Sequence, residues 1–196
     1  AEQQLTYQAT HDALTGLPNR PHLLDRLSAA IERARHGDGQ AFAVLFLDLD
    51  RFKLVNDSMG HAAGDELLVE VARRITMSVR EDDVVSRLGG DEFALLVEYT
   101  DGLENVRDFP QRLLAVLGRP MWVAGRELFP SASIGIALWQ PRYRHADELL
   151  RDADAAMYRA KQGGRDRSER FDEEIRAEAM RLPDLEADLR RELQHD

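Results

Sequence analysis

The stretch from Arg80 to Val97 restricts the possible folds most strongly, because it combines the pattern of a β-hairpin with an acidic tip. Apolar residues lead into Gly89-Gly90, a pair that tolerates positive φ in a tight turn, and an apolar strand follows. Asp91 and Glu92 come directly after the turn. Two adjacent carboxylates repel each other and are costly to bury unpaired. The tip therefore indicates either a site for a divalent cation and a phosphate or a solvated hairpin end.

A second acidic position follows the apolar run from Ala41 to Leu47, which predicts a strand that is buried on both faces. Asp48 and Asp50 come at its end, and the two-residue period of a strand points both side chains in the same direction. Carboxylates at the end of a buried strand are frequent metal ligands, but such acids also serve simply to solvate a strand end. The sequence alone leaves both interpretations open.

Composition limits the class of protein. The 196 residues suffice for one domain with a sizeable core and are too few for two ordinary domains. A formal net charge of −10 argues against a nucleic-acid polymer as partner. The absence of cysteine excludes disulfides, thiolate catalysis and cysteine-bound zinc, and the longest strongly apolar run, residues 41–47, is too short to span a bilayer. These features predict a cytoplasmic domain and leave open a membrane anchor elsewhere in a longer protein.

Lysine occurs at only two positions, Lys53 and Lys161, among 26 basic residues. The compact ammonium of lysine, on its flexible side chain, suits a triphosphate, whereas the planar guanidinium of arginine suits bidentate hydrogen bonding to two acceptors. The two lysines are therefore candidate phosphate ligands, with chance usage as the alternative.

Hydrophobic periodicity predicts the other elements. Helices are predicted around Leu23 to Ile31, from about Ala62 to Val79, from Val106 to Leu117 and from Ala146 to Lys161, and strands from Met121 to Gly125 and from Glu127 to Trp139. His61 and Asp65 are four residues apart and would share a helix face, either as a site or as an ordinary surface pair.

Five motifs in this chain together resemble the GGDEF family of diguanylate cyclases. They are, in family order, Asp12 to Arg20, Asp48 to Asn56, Gly60 to Asp65, Arg87-Leu-Gly-Gly-Asp-Glu-Phe93 and Ala155 to Arg165. The resemblance covers residues 12–170. It implies an α+β fold, a single domain with a five-stranded, mainly antiparallel central sheet flanked by helices, related to nucleotidyl cyclases and polymerase palm domains. The predicted order of elements agrees with that fold.

The resemblance also implies a division of the chain. Residues 14–171 form the GGDEF domain, and residues 1–13 are the end of an incoming signalling helix from an upstream sensor domain. Residues 172–196 are a charged helical linker, with leucines at helical spacing, toward a missing C-terminal domain. That linker resembles the connector into a downstream EAL phosphodiesterase domain.

Members of the family condense two GTP molecules into cyclic di-GMP and two pyrophosphates at a homodimer interface. The resemblance therefore implies a diguanylate cyclase that uses Mg²⁺ or Mn²⁺, two ions per active site, and that is inhibited by its product. A GTP-binding regulatory module that controls an adjacent EAL phosphodiesterase domain is the main alternative. A cyclase that makes a mononucleotide is a third interpretation.

The family's functional residues transfer to matching positions in this chain. Asp48, Asp91 and Glu92 correspond to catalytic residues, and together with the Leu49 carbonyl they correspond to the metal ligands. The positions that match GTP-binding residues are Phe52, Lys53, Asn56, His61, Asp65, Gly89, Gly90, Lys161 and Arg165. Within that set, Asn56 and Asp65 correspond to guanine readers and the cationic residues to triphosphate ligands.

Arg80 and Asp83 match the family's inhibitory product site in residue type and in distance from the GGDEF motif. An arginine can fork onto guanine O6 and N7 or onto a phosphate, and an aspartate can accept from guanine N–H groups. By sequence alone, an arginine that stabilises a helix C-terminus is the alternative.

Overall fold

Five strands form the central sheet of this protein, in a computed structural model that describes residue 7 and residues 9–37, 41–99 and 103–172. The strands of the chain are β1 (Ala41–Leu49), β2 (Val84–Gly89), β3 (Glu92–Tyr99), β4 (Met121–Val123), β5 (Arg126–Leu128), β6 (Ala132–Leu138) and β7 (Arg167–Arg170). The central sheet has the order β2-β3-β1-β6-β7; its β6–β7 pair is parallel and its other neighbouring pairs are antiparallel. β4 and β5 form a separate two-stranded sheet. The predicted α+β fold with a mainly antiparallel five-stranded sheet is confirmed.

Helices cover both faces of the central sheet. They are α1 (Arg20–Arg35), α2 (Phe52–Met59), α3 (His61–Ser78), α4 (Leu103–Leu117) and α5 (Ala146–Gln162). The apolar side chains of α1 and α5 join the core on one face, and those of α3 and α4 join the core on the other. The N-terminus of α1 is capped by Asn19, whose side chain accepts from His22 N at 3.2 Å.

The central strand β1 is buried on both faces, as its sequence predicts. Val44 and Phe46 belong to the core beneath α1 and α5, whereas Leu45 and Leu47 belong to the core beneath α3 and α4. The same alternation directs Asp48, at the end of the strand, toward the α5 face of the sheet. The hydrophobic pattern of β1 thus determines which helix the acid faces.

Several element boundaries differ from the sequence-based expectation. The strand expected from Glu127 to Trp139 is divided into β5 and β6, because Pro130 has no N–H to donate and interrupts the ladder. Helix α4 begins at Leu103, before its predicted start, and contains Pro110. The predicted linker helix from Glu173 and residues 1–6 of the incoming helix lie outside the described residues. Within the described ranges, no helix has both the length and the apolarity needed to cross a membrane.

Candidate active site

The pairing of β1 with β3 brings together the acidic residues of two separate motifs. Asp48 lies opposite Glu92 in the antiparallel register, and Leu49 N donates to the Asp91 carbonyl at 3.2 Å. Both glycines of the β2–β3 turn have positive φ, 141° and 50°, as the sequence predicts. The hairpin tip therefore lies against the end of β1.

Asp48 is a buried carboxylate, 5% exposed, whose Oδ1 lies 3.0 Å from Nζ of Lys161 on α5. This oxygen makes no hydrogen bond of regular geometry with the described residues. Burial raises the pKa of Asp48 to about 7, and the neighbouring Asp91 adds to the increase, while Lys161 opposes it. A carboxylate in this state is stabilised by any cation that contacts its oxygens directly.

Two further carboxyl groups make this region acidic. Burial raises the pKa of Glu92, and Asp154 and Asp91 add to the increase. Burial also raises the pKa of Asp154, against the lowering effects of Lys161 and Arg20. No motif in the sequence marks Asp154, although helical periodicity places it two turns before Lys161 on the same side of α5.

The oxygen ligands at this position fit a hard divalent cation such as Mg²⁺ or Mn²⁺. Asp48 Oδ1 has the Lys161 ammonium beside it and no hydrogen bond of regular geometry among the described residues, Glu92 lies opposite Asp48 in the strand register, and Asp91 adjoins Leu49 through a backbone hydrogen bond. Within the part of the chain that the structure describes, no three acidic or histidine side chains converge closely enough to hold a metal by themselves. A bound ion would therefore complete its coordination with backbone, substrate or water oxygens.

An arginine network holds the glycine turn. Arg87 donates to the Gly90 carbonyl from Nε at 3.1 Å and from Nη2 at 2.8 Å, and its Nη1 donates to the two oxygens of Asp12 at 2.9 and 3.1 Å. Thr15 donates to Asp12 from N at 2.8 Å and from Oγ1 at 2.7 Å. Burial acts to raise the pKa of Asp12, but the bonds from Thr15 and Arg87 outweigh it and lower that pKa. Asp12 and Arg87 belong to two of the sequence motifs, but neither motif predicts this contact.

The candidate guanine-binding residues lie where α2 meets α3. Asn56 Oδ1 is buried and has no hydrogen-bond partner among the described residues. Gly64 packs so closely on it that a Cβ at position 64 would collide with this oxygen. His61 and Asp65 are exposed in the first turns of α3, and Lys53 is exposed in the first turn of α2. The helix junction therefore combines a buried acceptor that has no partner among the described residues with an exposed carboxylate on α3.

The segment after α5 carries Arg165 in a left-handed turn, in which Arg165 and Asp166 have φ of 65° and 46°. Asp50 Oδ2 accepts from Asp166 N at 3.0 Å and from Ser131 Oγ at 2.7 Å, and Asp50 Oδ1 accepts from Ser133 Oγ at 2.7 Å. These three bonds satisfy most of the acceptor sites of this carboxylate, so Asp50 is less suited than Asp48 to the metal-ligand role that the sequence left open for both. Arg165 also lines a cavity of about 390 Å³.

Arg80 and Asp83 lie together between α3 and β2 and line a cavity of about 400 Å³ with His22 and Arg26. Asp83 Oδ2 accepts from Arg80 N at 2.9 Å, and Oδ1 accepts from Glu98 N at 3.2 Å. Burial raises the pKa of Asp83, against the lowering effect of these two backbone bonds. Among the described residues, the lining of this cavity includes none of the acidic residues of the β1–β3 site.

Comparison with known proteins finds similarity along almost the whole chain. The family model described as diguanylate cyclase, GGDEF domain, matches residues 9–167. The bifunctional diguanylate cyclase/cyclic di-GMP phosphodiesterase MucR of Pseudomonas aeruginosa is 45% identical over 194 residues, which are 99% of this chain and 28% of MucR. The cyclic di-GMP phosphodiesterase NbdA of the same organism is 37% identical over 196 residues, which are 100% of this chain and 25% of NbdA.

The diguanylate cyclase TpbB of Pseudomonas aeruginosa is 47% identical over 166 residues, which are 82% of this chain and 37% of TpbB. A solved structure that comprises only the GGDEF domain of TpbB matches with a TM-score of 0.82 and 40% identity, covering 87% of this chain and 99% of that one. The chain therefore spans 25% to 37% of the length of these three curated relatives.

Proposed function

Because this chain belongs to the GGDEF-domain family of diguanylate cyclases, we propose that it condenses two GTP molecules into cyclic di-GMP and two pyrophosphates. In each of the two steps, the 3′-hydroxyl of one GTP attacks the α-phosphate of the other, and pyrophosphate leaves. The observation that carries the proposal is the buried Asp48 opposite Glu92, with the ammonium of Lys161 beside it. Acidic oxygens and a cationic side chain at one point suit a triphosphate that binds together with a divalent metal.

Four groups of this chain would hold the metal, namely Asp48, Asp91, Glu92 and the Leu49 carbonyl. Two Mg²⁺ or Mn²⁺ ions, when bound, supply the positive charge that lowers the pKa of the attacking hydroxyl and stabilises the leaving pyrophosphate. Asp48 suits this role because its Oδ1 is buried and has an ion pair with Lys161 but no hydrogen bond of regular geometry among the described residues.

Cationic residues at the two ends of the site would bind the triphosphate. When the nucleotide binds, the ammonium of Lys161 would move from Asp48 to a phosphate. Arg165 would reach the triphosphate from the turn that follows α5. Lys53 and the backbone amide of Phe52 contribute from the first turn of α2. Gly89 and Gly90 present backbone without side chains where the nucleotide approaches.

Asn56 and Asp65 would read the guanine base, with His61 near the nucleotide. The buried Asn56 Oδ1 lacks a partner among the described residues, and a carboxylate at Asp65 can accept from guanine N1–H and N2–H. Adenine does not offer this pair of donors, so binding of ATP would leave the acceptors unpaired at a cost of about 1–3 kcal/mol. The site should therefore prefer GTP.

Two protomers are required for the reaction. One site that holds one GTP cannot close two reciprocal phosphodiester bonds, so two domains must face each other with each 3′-hydroxyl aimed at the partner's α-phosphate. We therefore propose a catalytic homodimer.

Product would bind at Arg80 and Asp83 and inhibit the enzyme. The guanidinium can fork onto guanine or phosphate, and the cavity beside it, of about 400 Å³, has room for part of the dinucleotide. This cavity is lined by residues other than the catalytic acids, so bound product could hold two domains apart without competing with GTP.

The second candidate function is a GTP-binding regulatory module for an adjacent EAL phosphodiesterase domain. It is favoured by the similarity of the whole chain to part of NbdA, which is a cyclic di-GMP phosphodiesterase, and to part of the bifunctional MucR. In that arrangement, an upstream sensor domain and a downstream EAL domain would flank this chain.

Incubation of the purified protein with GTP and Mg²⁺, followed by identification of the products by mass, tests the proposal. Cyclic di-GMP is expected, whereas GTP binding without product would favour the regulatory module. Asp91→Ala or Glu92→Ala should abolish turnover and leave the protein folded, because each removes a metal ligand at a turn. Asp108→Ala, which removes an exposed carboxylate on α4, is the matched control. Normal turnover in both site variants would refute the metal assignment.

A further inference from the structure

The carboxylate of Asp50 joins three separate segments of the chain. It accepts hydrogen bonds from two hydroxyls near the start of β6, Ser131 Oγ and Ser133 Oγ, each at 2.7 Å, and from the backbone N–H of Asp166 at 3.0 Å. In addition, Asp50 N donates to the Ser131 carbonyl at 2.9 Å. Hydrogen bonds to an ionised carboxylate are stronger than those between neutral groups. Asp50 therefore ties the end of β1 to the segment that follows α5.

That segment has a backbone conformation that local sequence does not favour. Gly164, Arg165 and Asp166 have φ of 116°, 65° and 46° in succession. Residues with a Cβ rarely adopt this left-handed region, so two of them in a row need support from the surrounding structure. On the helix side, Arg165 N donates to the Ala160 carbonyl at 3.1 Å. On the sheet side, the support comes from Asp50.

We propose that Asp50 is a positioning residue, which sets the direction of the Arg165 side chain toward the β- and γ-phosphates of the bound nucleotide. The inference rests on the proposed function, in which Arg165 is a triphosphate ligand. Asp50 acts through geometry: its oxygen holds the N–H of the residue that follows Arg165, and this fixes the turn from which the guanidinium projects. Asp48 and Asp50 thus both contact the C-terminal end of α5 and the turn after it. Asp48 pairs with Lys161, and Asp50 accepts from the backbone N–H that follows Arg165.

The proposal predicts that Asp50 increases the affinity for the β- and γ-phosphates of the nucleotide and does not affect binding of the guanine base. Asp50→Ala should weaken binding of a non-hydrolysable GTP analogue about tenfold, because a misdirected arginine loses its charged hydrogen bonds to phosphate. Binding of GMP, which has no β- or γ-phosphate, should stay unchanged. Asp50→Asn should retain most of the affinity, because its amide oxygen can still accept from Asp166 N while the Ser133 hydroxyl rotates to accept from the amide.

The test measures both ligands on five proteins: wild type, Asp50→Ala, Asp50→Asn, Arg165→Ala and the Asp50→Ala, Arg165→Ala double variant. Calorimetry serves for the analogue and NMR titration for GMP. If Asp50 acts through Arg165, Asp50→Ala adds no further loss once Arg165 is alanine. Equal losses for the analogue and for GMP, or a full additional loss in the Arg165→Ala background, would overturn the proposal.

Two further outcomes are distinguished from these results. If the wild type binds neither nucleotide, the proposed function itself fails and this inference fails with it. If Asp50→Ala does not fold, the Ser131→Ala, Ser133→Ala double variant decides in its place, since it removes the two hydroxyls that orient the carboxylate. A selective loss of analogue binding supports the proposal, and no selective loss refutes it.

Discussion

Removal of the Arg87 side chain should both destabilise the protein and loosen the β2–β3 turn. The side chains of Arg87 and Asp12 are only 12% and 19% exposed, and the pair lies 2.9 Å apart. Loss of one partner of a buried pair costs about 3–5 kcal/mol, whereas an exposed pair contributes about 0–1 kcal/mol. The Arg87–Asp12 pair retains some solvent contact, so we expect Arg87→Ala to lower the free energy of unfolding by about 2 kcal/mol. The Gly90 carbonyl loses both of its bonds from this guanidinium in the same variant.

Urea unfolding of Arg87→Ala, Asp12→Ala and the double variant measures the coupling between the two side chains. Because the pKa of Asp12 is lowered in the folded state, its contribution to stability is present above its unfolded pKa of about 4 and is lost as the pH falls through the folded value. In the Asp12→Ala variant, this loss of stability at low pH should be absent. Arg73→Ala, which breaks an exposed contact with Glu70, is the matched control and should change little. Additive effects of Arg87→Ala and Asp12→Ala would contradict the coupling of the two side chains, and cyclase turnover unaffected by Arg87→Ala would contradict a role of Arg87 in holding the turn.

Four further predictions concern the nucleotide, the assembly, the product and pH. Asp65→Ala should reduce the preference for GTP over ATP about tenfold, measured as the ratio of their turnover rates, and an unchanged ratio would assign guanine reading elsewhere. The rate per protomer should rise with enzyme concentration below the dimerisation constant; a flat dependence in a verified monomer contradicts the two-protomer mechanism. Arg80→Ala should keep the initial rate and lose non-competitive inhibition by cyclic di-GMP, an assignment that fails if calorimetry detects no binding of cyclic di-GMP to the wild type. In metal-free buffer, the contribution of Asp48 to stability should fall as the pH rises from about 4 through about 7, because burial favours the protonated carboxyl; Asp48→Asn should abolish that slope in denaturation curves.

The β2–β3 hairpin and the buried strand β1 are predictable because their signals are local. A glycine pair that accepts positive φ defines the turn, and a continuous apolar run defines a strand between two layers of helices. The prediction of one strand from Glu127 to Trp139 is wrong. β-propensity on both sides of Pro130 suggests one strand, but the missing N–H divides it into β5 and β6.

The contacts that hold the site are less predictable because they join distant parts of the chain. Arg87 and Asp12 are 75 residues apart, and nothing in either motif specifies the other. Asp154 was missed for a different reason: an acid on a charged amphipathic helix normally faces solvent, and its proximity to Glu92 depends on how α5 packs on the sheet. Only the tertiary arrangement identifies Arg87, Asp12 and Asp154 as parts of the site.

The two acids at the end of β1 show how one local pattern leads to two different roles. Strand periodicity correctly places both side chains on the α5 face, but it predicts the same role for Asp48 and Asp50. Their partners differ: Asp48 contacts the ammonium of a flexible lysine, whereas Asp50 contacts two hydroxyls and a backbone N–H in fixed positions. An ammonium can move to a phosphate when a metal ion takes its place, but a backbone N–H cannot leave without unfolding its turn. Of these two acids, only Asp48 is therefore expected to bind the metal, and Asp50 contributes by holding the adjacent turn.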